Sequence, residues 1–309
     1  MPRRALITGI EGFVGGHLCQ YLQKLGWEVA GIHLNPPPDG LNAELFCVDI
    51  CDFDRLKSVL EQTRPEWIFH LAGVSSVAEA EKNPVPVYEI NTLGTLKLLL
   101  AVHQLMLPCR LLFVSSADVY GRGEAPHSET DPVAPLTVYA RSKHLAEQLC
   151  RLYYQAWGMD IVIVRPFSHT GPGQAPRFIF PKVAQHIALV EKGRAEPVLK
   201  MGDLSVRRDY TDVRDVVRAY VLAMENCISG ETYNITSGNA IRLRDGVELM
   251  LRMSRVPVEV RSGATEIRPY DIPYLSGSAE KFRLITGWNP EIPLEQTFAD
   301  LLEYYRQRV

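Results

Sequence analysis

Tyr139-Ala140-Arg141-Ser142-Lys143 sets a phenol and an amine four residues apart. On a helix such side chains share one face, one turn apart. A nearby ammonium favours the tyrosinate and draws a phenol pKa down from about 10. The phenol can then pass a proton to or from a substrate oxygen while hydride moves on or off the same carbon. The spacing alone also occurs on ordinary helices, so its position in the chain matters. Upstream, an apolar strand ends in Val114-Ser115-Ser116. A hydroxyl at Ser116 is placed to donate to the oxygen that Tyr139 serves, although a serine pair there also suits a plain turn.

A second constellation lies near the N-terminus. Thr8-Gly9-Ile10-Glu11-Gly12-Phe13-Val14-Gly15 follows an apolar strand and opens a helix. That context turns spaced glycines into a phosphate cradle. Gly9 permits the tight turn, Gly12 lets backbone approach a pyrophosphate, and Gly15 lets helix and strand pack closely. The helix N-terminus offers free N–H groups and its positive dipole end. The second strand ends Gly31-Ile32-His33-Leu34-Asn35, without the acid that would bind an NAD ribose and without an Arg for a 2′-phosphate. His33 or Asn35 is a candidate phosphate contact, and either is equally an ordinary strand end. The expected cofactor is NADP or NAD, with NADP favoured.

Those groups need a scaffold. Apolar runs and turn residues predict strands over 4–8, 28–32, 45–48, 67–71, 110–115 and 160–165. They predict helices over 13–25, 53–62, 87–106 and 136–157 between them. Regular alternation implies a parallel sheet covered on both faces, and runs such as Ile161-Val162-Ile163-Val164 fit strands buried on both sides. The expected fold is α/β, a doubly wound (Rossmann) parallel sheet over residues 1–165 with a smaller C-terminal α/β lobe over 166–309 that binds substrate. Later segments are expected to return to the first domain. Residues 166–206 read as loops rich in Pro, Gly and Arg, and short helices are expected over 215–225, 244–253 and 294–306.

Composition narrows the class. The 309 residues are 46% hydrophobic and 22% charged, with a net charge of −3. That is the profile of a globular protein, with no basic block for nucleic acid. Lys97, His103 and Gln104 interrupt the most apolar stretch, so no membrane span is expected. Met1-Pro2-Arg3-Arg4 runs straight into a strand without a leader's apolar core. Six cysteines are scattered without a CxxC pair or a histidine cluster, which predicts buried reduced thiols, no metal and a cytoplasmic location.

The glycine loop, His70-Leu71-Ala72-Gly73, Asn91, Ser116, the Tyr139/Lys143 pair and Arg165-Pro166 occur in an order that resembles extended short-chain dehydrogenases of the nucleotide-sugar epimerase/dehydratase family. The resemblance covers essentially the whole chain. It implies a catalytic set of Ser116, Tyr139 and Lys143, with Tyr139 and Lys143 also touching the cofactor. It implies cofactor contacts from Gly9, Gly12, Phe13 and Gly15, and from Asp49-Ile50 near the adenine. It adds Leu71, Ala72, Asn91, Pro166 and His169 to the candidate His33 read from the end of the second strand. It also implies a homodimer through a four-helix bundle of the two long helices. Residues 165–174, 208–215 and 268–273 resemble segments of GDP-mannose 4,6-dehydratases and GDP-4-keto-6-deoxymannose reductases. They imply a nucleotide-sugar substrate, with GDP favoured, held by Arg208 at the diphosphate and by Arg268 and Asp271 at the nucleoside. Ser75, Asp118 and Ser168 are further implied substrate contacts. Guanidinium groups suit phosphate and carboxylates suit ribose or guanine donors, although each Arg equally suits a surface ion pair. The chain departs from the family pattern at Gly73 (for Ala), Ser168 (for Asn) and Asp271 (for Glu).

Reductases, dehydratases and epimerases of this family share the Tyr–Lys pair and differ in further acid–base groups. A 4,6-dehydratase needs a Glu two residues beyond the catalytic hydroxyl, assisted by a polar residue between. Here the sequence is Ser116-Ala117-Asp118, in which Ala117 cannot move a proton and Asp118 is a methylene shorter. The favoured expectation is NAD(P)H-dependent reduction of a 4-keto-6-deoxy sugar at C4, yielding GDP-D-rhamnose. A 4-epimerase or 4,6-dehydratase with retained cofactor is the alternative, and a non-catalytic NAD(P)-sensing binder is a third reading.

Overall fold

The computed structural model describes residues 3–37, 40–263 and 272–309. The first half runs β1 (Arg4–Thr8), α1 (Phe13–Lys24), β2 (Glu28–His33), β3 (Glu44–Cys47), α2 (Phe53–Thr63), β4 (Trp67–His70), α3 (Val77–Lys82), α4 (Pro84–Tyr88), α5 (Thr95–Gln104), β5 (Arg110–Val114), α6 (Val138–Trp157) and β6 (Ile161–Pro166). The second half runs β7 (Ser168–Thr170), α7 (Ile179–Glu191), β8 (Val198–Met201), β9 (Arg207–Asp212), α8 (Val213–Asn226), β10 (Thr232–Ile235), β11 (Ala240–Arg242), α9 (Leu243–Arg252), β12 (Glu259–Ser262), β13 (Tyr274–Leu275), α10 (Glu280–Thr286) and α11 (Leu294–Arg306).

Seven strands form one parallel sheet in the order β10-β6-β5-β4-β1-β2-β3. One face is covered by α1, α8 and α10, whose Leu18, Leu22, Val216, Tyr220 and Phe282 share a buried cluster with Ile7, Phe69 and Leu112. The other face is covered by α2, α5 and α6 through Leu56, Leu60, Leu98, Leu99 and Ala146. Burial on both faces explains the near-continuous apolar strands. The chain leaves β1 for β2 on one side and returns through β4 on the other, so the ends of β1 and β4 flank the switch-point crevice where such sheets bind ligands. The outermost strand, β10, and the helix α8 come from the second half of the chain.

The second half also builds a smaller lobe. There β9 pairs with β11, β13 and β7, and β8 pairs with β12. A cluster around Phe180, Ile187, Val247, Phe298 and Leu302 joins α7, α9 and α11. The loop expected over 166–206 therefore contains two strands and the 13-residue helix α7. Its apolar face (Phe180, Val183, Ala184, Ile187) carries helical periodicity that the neighbouring Pro and Gly obscure.

Three other expectations need correction. The helix expected over 87–106 starts at Pro84 and contains a π-helical turn, Glu89–Gly94, between α4 and α5. By length and composition alone, Pro84–Gln104 is long and apolar enough to cross a membrane. Here it lies along the sheet, with Leu98, Leu99, Ala101 and Val102 buried. Of the six thiols, Cys47 is exposed because it lies on the edge strand β3, and Cys51, in the turn beyond that strand, is half-buried.

Candidate active site

At the switch point Gly9 has φ +73°, and a Cβ there would stand 2.9 Å from Ala72 backbone. A Cβ on Gly15 would reach Gly9 O at 2.5 Å. Glycine is therefore required both where the loop passes the end of β4 and where α1 settles onto the loop. Gly12 is the N-cap of α1, with no side-chain cap and no acid in the first turn. The positive end of that helix is thus left to the loop, which fits a dinucleotide pyrophosphate. Phe13 stacks on His169 at 6.2 Å between ring centroids, joining the cradle to β7. Burial lowers the His169 pKa, so the ring packs as a neutral group.

The ends of β1 and β4 are locked by a directed chain of hydrogen bonds. Thr95 Oγ1 donates to Asn91 O at 2.6 Å. Its proton thus engaged, Thr95 accepts from His70 Nε2 at 2.9 Å. His70 Nδ1 is then the acceptor for Thr8 Oγ1 at 2.8 Å, and Thr8 Oγ1 accepts from Ala72 N at 3.1 Å. Full burial and the nearby Lys143 push the His70 pKa down to about 3, which keeps the ring neutral as the chain requires.

Asn91 sits in the π-helical turn, where functional residues often lie. Its Oδ1 accepts from Val74 N at 2.8 Å, and its Nδ2 donates to Val74 O and Ser142 Oγ at 3.1 and 2.9 Å. A Cβ on Gly73 would stand 2.8 Å from Asn91 Oδ1, which accounts for glycine there.

Helix α6, which carries Tyr139 and Lys143, begins after Thr137, whose hydroxyl caps it by accepting from Ala140 N at 3.0 Å. Tyr139 and Lys143 follow on one buried face. Lys143 Nζ donates to Val114 O at 2.9 Å and lies 5.2 Å from the Phe113 ring centroid. Burial lowers its pKa to about 8. Ser116 caps the 3₁₀ turn Ala117–Tyr120 and accepts from Asp118 N at 3.2 Å. The phenol pKa moves opposite to the sequence expectation. Burial and then Asp118 raise it well above the usual tyrosine range, and only Ser116 opposes them. The Lys143 ammonium is directed at the end of β5. Burial also raises the Asp118 pKa, against the pull of the Arg208 guanidinium on β9, whose Nη1 donates to Arg207 O at 2.9 Å. Ala117 is buried in a small apolar cluster with Tyr120, Phe167 and Leu275.

Other expected residues hold the frame. Asp49 Oδ1 accepts from Cys51 N at 2.8 Å, and Ile50 packs against Gly94, where a Cβ would meet Ile50 Cγ2 at 2.8 Å. Leu71 N donates to Thr8 O at 3.2 Å. Pro166 pairs with Ile235, and Ser168 with Tyr210, placing both at the boundary between sheet and lobe. His33 Nδ1 bonds Asn35 O at 3.1 Å, and Ser75 is exposed just beyond Val74. Arg268 and Asp271 lie outside the described residues.

Sequence reasoning missed Thr8, His70, Thr95 and Ser142 as positioning groups. The one local signal was the polar pair Asn91/Thr95, four apart in an apolar helix. It also missed Glu147, buried one turn beyond Lys143, which takes Arg165 Nε and Nη2 at 2.9 and 2.8 Å and ties α6 to β6. Finally, it read the end of β2 as lacking a carboxylate. Glu11, from the glycine loop, supplies one: Leu34 N donates to Glu11 Oε1 at 3.0 Å.

The sequence matches the family described as GDP-mannose 4,6 dehydratase over residues 6–301. The chain belongs to that family. Within it, a GDP-6-deoxy-D-mannose reductase of Pseudomonas aeruginosa is 34% identical, covering 100% of this chain and 99% of that one. Among solved structures, the RMD protein of Pseudomonas aeruginosa complexed with NADPH is 32% identical at TM-score 0.89, covering 99% of this chain and 100% of that one. A Thermus thermophilus UDP-glucose 4-epimerase complexed with NAD is 28% identical at TM-score 0.89, again covering 99% and 100%. Family membership, with the cradle and the Tyr139/Lys143 face, makes the chain an NAD(P)-dependent enzyme that modifies nucleotide sugars.

Proposed function

We propose that the enzyme reduces a nucleotide-linked 4-keto-6-deoxy sugar, GDP-4-keto-6-deoxy-D-mannose, to GDP-D-rhamnose. The observation that carries this reading is Ala117, buried among apolar side chains between Ser116 and Asp118, where a dehydratase needs a polar assistant, while Tyr139 stays available on the buried face of α6. A ketone that accepts hydride at C4 needs a proton on its oxygen, and a protonated phenol is the donor that step uses. A bound nicotinamide supplies the hydride. Ser116 orients the phenol and offers a second donor to the carbonyl. Lys143, charged below about pH 8 and bonded to Val114 O, stabilises the negative charge that develops as Tyr139 releases its proton once its ammonium turns from that carbonyl toward the phenol. Arg208 is the group for the substrate diphosphate, with Ser75, Asp118 and Ser168 as further substrate contacts. The similarity to a GDP-6-deoxy-D-mannose reductase supports the choice of sugar.

The test is direct. Purified enzyme is given GDP-4-keto-6-deoxy-D-mannose with NADPH or NADH, and absorbance at the reduced-nicotinamide band and the sugar product are followed. Absence of consumption with both cofactors overturns the reading. Tyr139→Phe separates enzyme from sensor: it lowers kcat on the order of 10²–10⁴-fold while dinucleotide binding persists.

One observation favours a second reading. The half-buried Asp118 carboxyl, which acts on the Tyr139 phenol, has a raised pKa and is itself equipped to move a proton. A 4,6-dehydratase using it would convert GDP-mannose without added reduced cofactor.

The enzyme is further read as a homodimer. Leu93, Leu145 and Leu152 are exposed on the long helices and would be covered by pairing of those helices between copies. Sedimentation equilibrium tests this, and a monomer at micromolar concentration refutes it.

A further inference from the structure

We infer that Glu11 sets the dinucleotide preference of this enzyme by accepting the 2′-hydroxyl of the adenosine ribose and excluding a 2′-phosphate, so that NADH is preferred to NADPH. The inference rests on the reading of the switch-point crevice as a nicotinamide dinucleotide site.

Three observations converge. In open parallel sheets, the residue that reads the ribose 2′ position stands at the end of the second strand, and an acid there selects the unphosphorylated cofactor. Here β2 ends at His33, and no residue of the adjoining segment His33-Leu34-Asn35 is acidic. The carboxylate comes instead from the glycine loop, clamped to the strand end by the bond from Leu34 N to Glu11 Oε1 at 3.0 Å. Second, the other oxygen, Oε2, is buried without a hydrogen-bond partner among the described residues. A buried acceptor calls for a donor. A ribose hydroxyl is one, whereas a phosphate offers only oxygen acceptors and like charge. Third, compensating cations are remote in sequence: no Lys or Arg occurs between Lys24 and Arg55. The Arg55 guanidinium is engaged with Cys47 O at 2.8 Å.

The experiment is a pair of equilibrium titrations on the full-length enzyme, following quenching of protein fluorescence by NADH and by NADPH, repeated with ADP-ribose and its 2′-phosphate. Wild type is expected to bind the unphosphorylated member of each pair about tenfold or more tightly, the scale of a like-charge clash at a partly buried site. Glu11→Gln retains an oxygen for Leu34 N and turns an amide donor toward the 2′ position. It should raise affinity for the phosphorylated ligands and close most of the gap, with melting temperature unchanged. Equal or tighter binding of NADPH by wild type overturns the inference, as does an unchanged ratio in Glu11→Gln, the result of a merely structural Glu11. Failure to bind either dinucleotide overturns the site reading itself, and the inference with it.

Discussion

Asn91 Nδ2 stands 2.9 Å from Ser142 Oγ, and Ser142 Oγ donates in turn to Tyr139 O at 2.8 Å. One buried amide thus joins the loop after β4, which it holds at both Val74 backbone groups, to the helix carrying Tyr139 and Lys143. Asn91→Ala removes three hydrogen bonds, the one to Ser142 Oγ fully buried and the two to Val74 partly so, and leaves the Val74 groups without these partners. The expected loss is about 2–4 kcal/mol of stability, with weaker dinucleotide binding. Denaturant melts and a dinucleotide titration check this, and a variant with wild-type affinity would show that the two halves of the site are independent.

Lys143 gives the reaction a pH dependence. Its pKa is lowered to about 8, so the ammonium that supports proton release from Tyr139 is present below that pH and lost above it. For keto reduction, kcat/KM should fall as pH rises through about 8. Lys143→Arg keeps its charge and should move that limb to higher pH, whatever its absolute rate. An alkaline limb unmoved by this change would assign the titration to another group.

His70 gives the fold a pH dependence. Its folded pKa of about 3 lies below the ordinary 6.5. Between these values the unfolded chain binds a proton that the native state refuses. The stabilisation is therefore complete above pH 6.5 and is lost as pH falls, by about 1.4 kcal/mol per unit. Urea melts from pH 7 to 4 should show this slope for wild type and lose that share in His70→Asn. Identical slopes would mean that His70 protonates in the native state.

Gly9→Ala combines a left-handed backbone with a Cβ 2.9 Å from Ala72. It should cost about 1–3 kcal/mol and weaken dinucleotide binding by about tenfold or more, because the loop must leave the end of β4. Calorimetry and fluorescence titration measure both, and retained affinity would place the cofactor away from this turn.

The sequence by itself determined the parallel sheet, the cradle of Gly9, Gly12 and Gly15, and the pairing of Tyr139 with Lys143. These are local: alternation of apolar runs, turn residues and helical spacing are encoded within a few residues of one another. Local pattern failed at α7, where Pro and Gly neighbours masked an apolar face, and at Asn91, where regular helical spacing gives no sign of a π-helical turn. Only the tertiary structure decided the electrostatics. Whether Lys143 lowers the Tyr139 pKa depends on where its ammonium points, and in the fold it points to Val114 O while Asp118 and burial push the phenol upward. Likewise, Glu11 precedes Leu34 by 23 residues in sequence, yet the turn after β1 brings its carboxylate to the end of β2. Charge acts through space and burial, so its consequences were fixed only when the chain had closed around these groups.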